Sequence, residues 1–456
     1  MVIRYKLLPR QYLVTLADRQ QKEKSFFMPS FPEDKTTNYW AYSCPAPDPY
    51  NTLESHRTCD ACIIGAGFLG LTTAYFLARQ GYSVVVLEKE NVGWGASGRC
   101  GGQISPGFCR SVSAIEAKVG AETSRKFWDM SVEGVAGVQK IIADEEIACD
   151  LAVGGLYLAT NPQEEKMLRE YGKYMKTDYK HNLEFFSSQG IRQKMGTDYY
   201  CAGLKNEQAA GVNPFKYCQG LAKSVVRHGG QIFTKTEVVG IDTRNGKHEI
   251  TTKNGKVSSK YIICSGGAYM GRLLPKARRK FVAARNGMIA TQPLSADLGV
   301  MPEKNTVWEI GGDHFYCKTA DNRIVFGGGD GVKPENNKKA TDEKIKKALF
   351  SGLTKVFPQL AQTQVDFFWA GTLCMTNTYM PNVNEIAPNI FYANGFSGHG
   401  MNTTYNVARC FEKAITQNDK QDIALFNKFS NMSFPGMGRW DSVFTRIGMM
   451  LHSGDV

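Results

Sequence analysis

Three glycines at positions 65, 67 and 70, within the run GAGFLG, and a carboxylate eighteen residues further on at Glu88 are the first residues whose types and spacing amount to chemistry. Gly65 permits a tight turn, and Gly67 leaves room for a pyrophosphate against the main chain. Gly70 lets a helix pack close to a strand with its N-terminus facing the negative charge. Phe68 and Leu69 lie inside the same turn and are taken with it as ligand-contacting positions. Glu88 then accepts from ribose hydroxyls and repels a 2′-phosphate, so an adenosine without that phosphate is expected rather than NADP. A second stretch, GASGRCGGQ over 95–103, sets four glycines around Arg99. Its bare backbone suits either a solvated surface loop or a close approach of main-chain N–H groups to the oxygens of a bound group. In the second case Ser97 and Arg99 are side-chain donors, with Gly102 and Gln103 in the same stretch. A third stretch, GFSGHGMN over 395–402, carries His399, whose ordinary pKa range suits proton transfer. A histidine in such a loop also serves simply to hydrogen-bond and shape it, and that structural reading is preferred.

These stretches need elements to hold them. Around the first, CDACIIGAGFLGLTTAYFLARQGYSVVVLEKE reads as a strand over 59–64, the glycine turn, a helix with Leu71, Ala74, Tyr75 and Ala78 at helical spacing, and a buried strand over 82–87. That is one βαβ unit, and with Glu88 at its end it predicts dinucleotide binding without separating FAD from NAD. The later NIFYANGFSGHGMNTTYNVARCFEKAI predicts a strand through Tyr392, a loop over 394–399 and a helix from near Gly400, whose start carries partial positive charge. Between these, Asn213, Pro214 and Phe215 open a helix reaching about His228, and 231–241 reads as one buried strand. YIICSGGAY is an apolar strand running into Ser265, Gly266 and Gly267, a second place where bare backbone can approach a cofactor. GGLYLAT near Gly154 and the alternation across 281–369 predict strands of a second, mostly antiparallel sheet.

The 456 residues, 42% of them hydrophobic, suffice for two interleaved domains. The longest apolar candidate for a bilayer span, over 62–76, is broken by Gly65, Gly67 and Gly70, so no transmembrane segment is expected. The first 30 residues carry Arg4, Lys6, Arg10, Arg19, Lys22 and Lys24 without the apolar core and cleavage site of a secretory signal. A cytoplasmic protein is expected, with an organellar presequence left open. Twelve cysteines fall in no regular framework, which argues against disulfides and against a metal site. The net charge of +12 is spread along the chain, apart from Lys276, Arg278, Arg279 and Lys280. It reads as a solvated basic face and not as a nucleic-acid surface.

GAGFLG, the acidic strand end, GASGRCGGQ and GFSGHGMN together make the chain resemble the FAD-dependent D-amino-acid oxidase superfamily, which includes the glycine and sarcosine oxidases. The γ-glutamylputrescine oxidases in it are most similar, sharing the early NYWAYSCPAPDPY, and the likeness covers about 38–417. It implies an α/β chain: an FAD-binding Rossmann-like domain of the glutathione-reductase type with an interleaved, mostly antiparallel substrate domain roofing the flavin. The division it implies is an N-terminal arm (1–54), cofactor-binding parts (55–150, 206–280, 370–430), substrate-domain parts (151–205, 281–369) and a tail (431–456). It further implies that the backbone near Val238 meets the adenine, that Ser265 and Gly266 approach the cofactor, and that Gly395, Gly398, Gly400 and Met401 lie by the flavin pyrimidine. Cys100 departs from the family, which has asparagine there.

By the same resemblance the function is oxidation of γ-glutamylputrescine or a similar polyamine-derived amine to an imine and aldehyde, with O2 as acceptor and H2O2 as product. His399 and Asn402 are the catalytic candidates. Asn402 stands where sarcosine oxidases carry a lysine beside the substrate carboxylate, which favours a longer amine. Alternatives are an oxidase or dehydrogenase of a secondary amino acid, a non-catalytic flavin-binding protein with a basic interaction surface, and an NAD dehydrogenase. Lys276, Lys280 and Arg285 are candidate cations for oxygen activation. Cys374, before Met375, matches the place where sarcosine oxidases attach flavin covalently, although core packing is the preferred reading.

Overall fold

The computed structural model describes residues 38–434, apart from 47, 245, 272, 312–313 and 335–337. The residues read for a presequence, the rest of the arm up to 37 and the tail beyond 434 lie outside the described residues. Two sheets carry the fold. In the first, the strands Ile390–Asn394, Lys256–Cys264, His56–Ile64, Val84–Leu87 and Gln231–Phe233 lie side by side in parallel. Their apolar runs are buried on both faces, as a parallel sheet covered on both sides requires. Ala61, Ile63, Val84 and Val86 feed one core, and Cys62, Ile64, Val85 and Leu87 feed the core on the opposite face. The helix Phe68–Arg79 lies in the first of these cores, wedged between Pro214–Arg227 and Met401–Thr416.

The second sheet runs in the order Val365–Met375, Val282–Thr291, Ile324–Pro334, His314–Lys318, Thr306–Glu309, Ala152–Ala159, Ala202–Gly211 and Gln103–Ile104, with Glu184–Ser187 also on Ala202–Gly211. Only the pairing of Thr306–Glu309 with Ala152–Ala159 is parallel among those described. Ala202–Gly211 runs across the expected border at 205/206, Val365–Met375 crosses that at 369/370, and Gln103–Ile104 joins this sheet from within 55–150.

Two local expectations change. The segment 231–241 is two strands, Gln231–Phe233 and Val238–Arg244, because Lys235 turns through φ +52° and the amides of Lys235 and Thr236 bond to Glu90 and Glu88 instead of extending the strand. The second of these strands is mostly exposed. Within 281–369 a helix, Lys338–Val356, interrupts the strands. Its Ile345, Leu349, Leu353 and Val356 pack on the outer face of the second sheet, at the three-to-four spacing a helix needs.

Candidate active site

The turn at 65–70 is as tight as its glycines imply. Gly65 takes φ +109°, and a Cβ on Gly70 would lie 2.0 Å from the Gly65 carbonyl oxygen and 2.6 Å from Ser265 Oγ. Ser265 Oγ donates to the Ile64 and Gly65 carbonyls, so the Ser265–Gly266 segment closes on the turn from the neighbouring strand. Gly67 caps the helix Phe68–Arg79 with no side chain of its own. The Phe68 amide donates instead to Ser97 Oγ at 3.0 Å, and a Cβ on Gly67 would meet that same oxygen at 2.8 Å. Glu88 accepts from Ala66 N and Glu90 N, each at 2.8 Å. Burial pushes its carboxyl above the ordinary range, opposed by those two amides, and each oxygen keeps a lone pair for a further donor. Thr236 N bonds the Glu88 carbonyl, which brings the start of Val238–Arg244, and half-buried Val238, alongside the acidic strand end.

The 95–103 loop is held by its neighbours rather than solvated. Trp40 Nε1 donates to the Cys100 carbonyl and Trp369 Nε1 to the Arg99 carbonyl, both at 2.9 Å. Arg99 donates Nη1 to the Ala370 carbonyl and lays its guanidinium 4.5 Å from the Trp94 ring centroid. Gln103 Nε2 donates to the Val307 carbonyl. Both side chains therefore stitch the loop to the second sheet, while Ser97 turns to the first helix. Gly102, at φ +71°, lies so close to Val212 that a Cβ would be 2.0 Å from its carbonyl oxygen. The Cys100 thiol donates to Ser97 O within its own loop.

The last loop meets a stretch that sequence reasoning missed, 105–110. His399 Nε2 lies 3.0 Å from the Ser105 carbonyl, which can only accept, so the proton sits on Nε2. Burial holds the ring below its usual pKa and so neutral. Asn402, 1% exposed, donates Nδ2 to the Gly107 carbonyl at 3.2 Å, and Cys109 Sγ donates to the Ser397 carbonyl at 2.9 Å. Gly395 (φ +74°) presses against Thr376, whereas Gly398 (φ +97°) is exposed and a Cβ there would touch nothing within 4 Å. The helix Met401–Thr416 begins at Gly400 with no side-chain cap, and Met401 points into the core. Nothing in ISPGFCR marks this role: the partners are nearly 300 residues away and the contacts use main-chain carbonyls. Trp40 and Trp369 are likewise found only in three dimensions.

A family model described as "FAD dependent oxidoreductase" matches residues 60–413. The chain belongs to that family. FAD is its cofactor. This FAD-dependent oxidoreductase is 30% identical over 429 residues, 92% of its chain and 98% of the relative, to the gamma-glutamylputrescine oxidoreductase of Escherichia coli K12. It is 32% identical over 402 residues, 86% of its chain and 91% of the relative, to a Haemophilus influenzae protein named probable oxidoreductase OrdL. Among solved structures, glycine oxidase from Geobacillus kaustophilus shares the fold with a TM-score of 0.66 at 16% identity, over 79% of this chain and 95% of that one.

The remaining sequence candidates separate. Lys276 is exposed, Lys280 donates to the Asn431 carbonyl, and Arg285 makes a two-point ion pair with Asp342 at 2.6 and 2.9 Å. Cys374 is half-buried, and its carbonyl accepts from Ser397 N. All twelve cysteines are outside disulfides. Among the described residues no group of three or more His, Cys, Asp or Glu could hold a metal, and no helix is long and apolar enough to cross a membrane.

Proposed function

We propose that this FAD-dependent oxidoreductase oxidises the amine carbon of γ-glutamylputrescine, or of a similar acylated polyamine, to an imine that water hydrolyses to an aldehyde and ammonia. Bound FAD supplies the two-electron acceptor, and O2 as final oxidant leaves as H2O2. The observation that carries the substrate class is the start of the last helix. Its first residues, Met401, Asn402, Thr403 and Thr404, include no cation, and the Asn402 amide is buried against Gly107. A carboxylate beside the reacting carbon, as in sarcosine, would lie unpaired there, which is costly in a dry site. An amine whose reacting end has no carboxylate suits it better. The near full-length likeness to the Escherichia coli relative supports the same choice.

In this reading Gly65, Gly67, Phe68, Leu69 and Gly70 give backbone room and helix-end polarity to the pyrophosphate. The free lone pairs of Glu88 take the ribose, and Val238 lies by the adenine. Ser97, Gly102, Ser265 and Gly266 line the passage toward the flavin, and Gly395, Gly398, Gly400 and Met401 form the far end. Arg99 and Gln103 act by holding the loop to the roof sheet. His399, neutral with its proton on Nε2, shapes the loop and leaves Nδ1 as an acceptor, while Asn402 sets the floor through Gly107. The lack of disulfides among the twelve cysteines supports a reducing, cytoplasmic setting. Anaerobic mixing tests the proposal: γ-glutamylputrescine should bleach the flavin faster than sarcosine or proline. A clear preference for sarcosine overturns it.

A further inference from the structure

Strand pairing sets a row of residues across one face of the second sheet. Tyr157 lies opposite Trp308, Trp308 opposite Phe315, Phe315 opposite Gly327, Gly327 opposite Met288, and Met288 opposite Trp369. Directly opposed residues share a face. Their chain neighbours Val307, Tyr316, Phe326 and Ile289 pack into the core on the other side, with the helix Lys338–Val356. The row therefore faces the glycine loop, and the chain from 99 to 105 follows it in order. Trp369 Nε1 donates to the Arg99 carbonyl, a Cβ on Gly101 would lie 2.9 Å from the Phe315 ring, and the Tyr157 hydroxyl shares a hydrogen bond with Ser105 Oγ. The Ser105 carbonyl in turn accepts from His399.

Trp308 stands between Phe315 and Tyr157, at the His399 end of this row. The row's other tryptophan, Trp369, is 5% exposed and its Nε1 is committed to a carbonyl. Trp308 is only half-buried, and its Nε1 has neither a hydrogen-bond partner among the described residues nor full burial. One face of its ring stacks on Tyr157, with centroids 5.3 Å and planes 28° apart, and the indole lies over Gly155, where a Cβ would come within 2.6 Å of it. The ring is fixed in place while its N–H stays reachable. It offers a flat apolar surface and one donor. An acylated amine presents the complement, a run of methylenes ending in an amide carbonyl. A free diamine brings a second ammonium to that point, which has only donors of its own. We propose that Trp308 is the specificity residue for the acyl group, its Nε1–H donating to the substrate's amide carbonyl while the ring covers the methylene chain. This rests on the amine-oxidase reading above and narrows its substrate to diamines acylated at one end, chosen over the free diamines.

The test uses the FAD-loaded enzyme, γ-glutamylputrescine and putrescine as substrates, and N-butylacetamide as a non-reacting probe read by flavin absorbance. In Trp308→Phe, which keeps a flat ring without the donor, the preference for γ-glutamylputrescine over putrescine in kcat/KM should fall by about tenfold through KM, and the N-butylacetamide Kd should rise to match. Trp308→His, a smaller ring that keeps an N–H, should hold more of the preference than phenylalanine, an order that loss of ring size alone would reverse. The unaltered protein gives a measure that needs no variant: N-butylthioacetamide, whose sulfur accepts poorly, should bind about tenfold more weakly than N-butylacetamide. Equal losses on both amines in Trp308→Phe, or equal binding of amide and thioamide, overturn the assignment. A wild-type enzyme that oxidises neither amine, yet binds N-butylacetamide in a Trp308-dependent way, overturns the amine reading and leaves the subsite standing.

Discussion

Two helices begin at glycines without side-chain caps, Phe68–Arg79 at Gly67 and Met401–Thr416 at Gly400, and they are finished in opposite ways. At the first, contacts come from Ser97, 29 residues away, and from glycines whose missing Cβ atoms are filled by nearby backbone. At the second, the loop is shaped by carbonyls at 105 and 107, about 295 residues earlier. The first is a local device and tolerates almost no added atom. The second is a long-range seam whose strength lies in a few hydrogen bonds.

The sharpest break in that contrast is Gly70→Val. Its Cβ would lie 2.0 Å from a main-chain oxygen that cannot move away, and the overpacking should cost about 3 kcal/mol or more. The purified variant should be colourless and melt early. Gly67→Val, whose Cβ meets only the Ser97 hydroxyl, should fold yet lose FAD; full flavin occupancy would contradict the role given to that turn. Next comes the seam. Asn402→Asp sets a buried carboxylate against the Gly107 carbonyl and should cost about 2–4 kcal/mol in urea unfolding. Asn402→Lys should also destabilise without gaining sarcosine turnover, because no space is open to the longer chain; a stable variant that oxidises sarcosine would show the site to be roomier than this.

A smaller effect appears with pH. Burial lowers the pKa of His399, His181 and His248 below the ordinary 6.5. The unfolded chain takes up protons below about pH 6.5 while these folded rings do not, so their contribution is fully present above that pH and is lost as pH falls toward the folded values. His399→Gln should flatten the acid limb of a Tm-versus-pH profile, and an unaltered slope counts against a buried neutral ring. The least change is expected from Cys374→Ala. Acid precipitation should release FAD from both proteins, whereas a flavin-bearing peptide containing Cys374 in the wild type would reverse that expectation.

The βαβ unit was legible because the marks that reveal it are close in sequence: glycine spacing, alternating core residues and Glu88 suffice. The helix Pro214–Arg227 was legible through Asn213, whose side chain caps it in the structure. The break at Lys235 was not, because a positive φ at a lysine has no compositional mark and depends on carbonyls at 88 and 90. The helix Lys338–Val356 was hidden among strands because short apolar runs satisfy either period until a packing partner is known. The roles of Ser105 and Gly107 were invisible for the simplest reason: backbone carbonyls look alike in every sequence.

The two tryptophans over the 95–103 loop bear on how the protein is made. Trp40 and Trp369 fix adjacent carbonyls, Cys100 and Arg99, with their rings 6.3 Å apart, one from near the beginning of the described chain and one from its last quarter. During synthesis the nucleotide turn is closed once Ser265 has followed its βαβ unit out of the ribosome. The loop beside it has only half its clamp until residue 369 follows. A chain truncated between 265 and 369 would carry a closed turn and an unfinished loop.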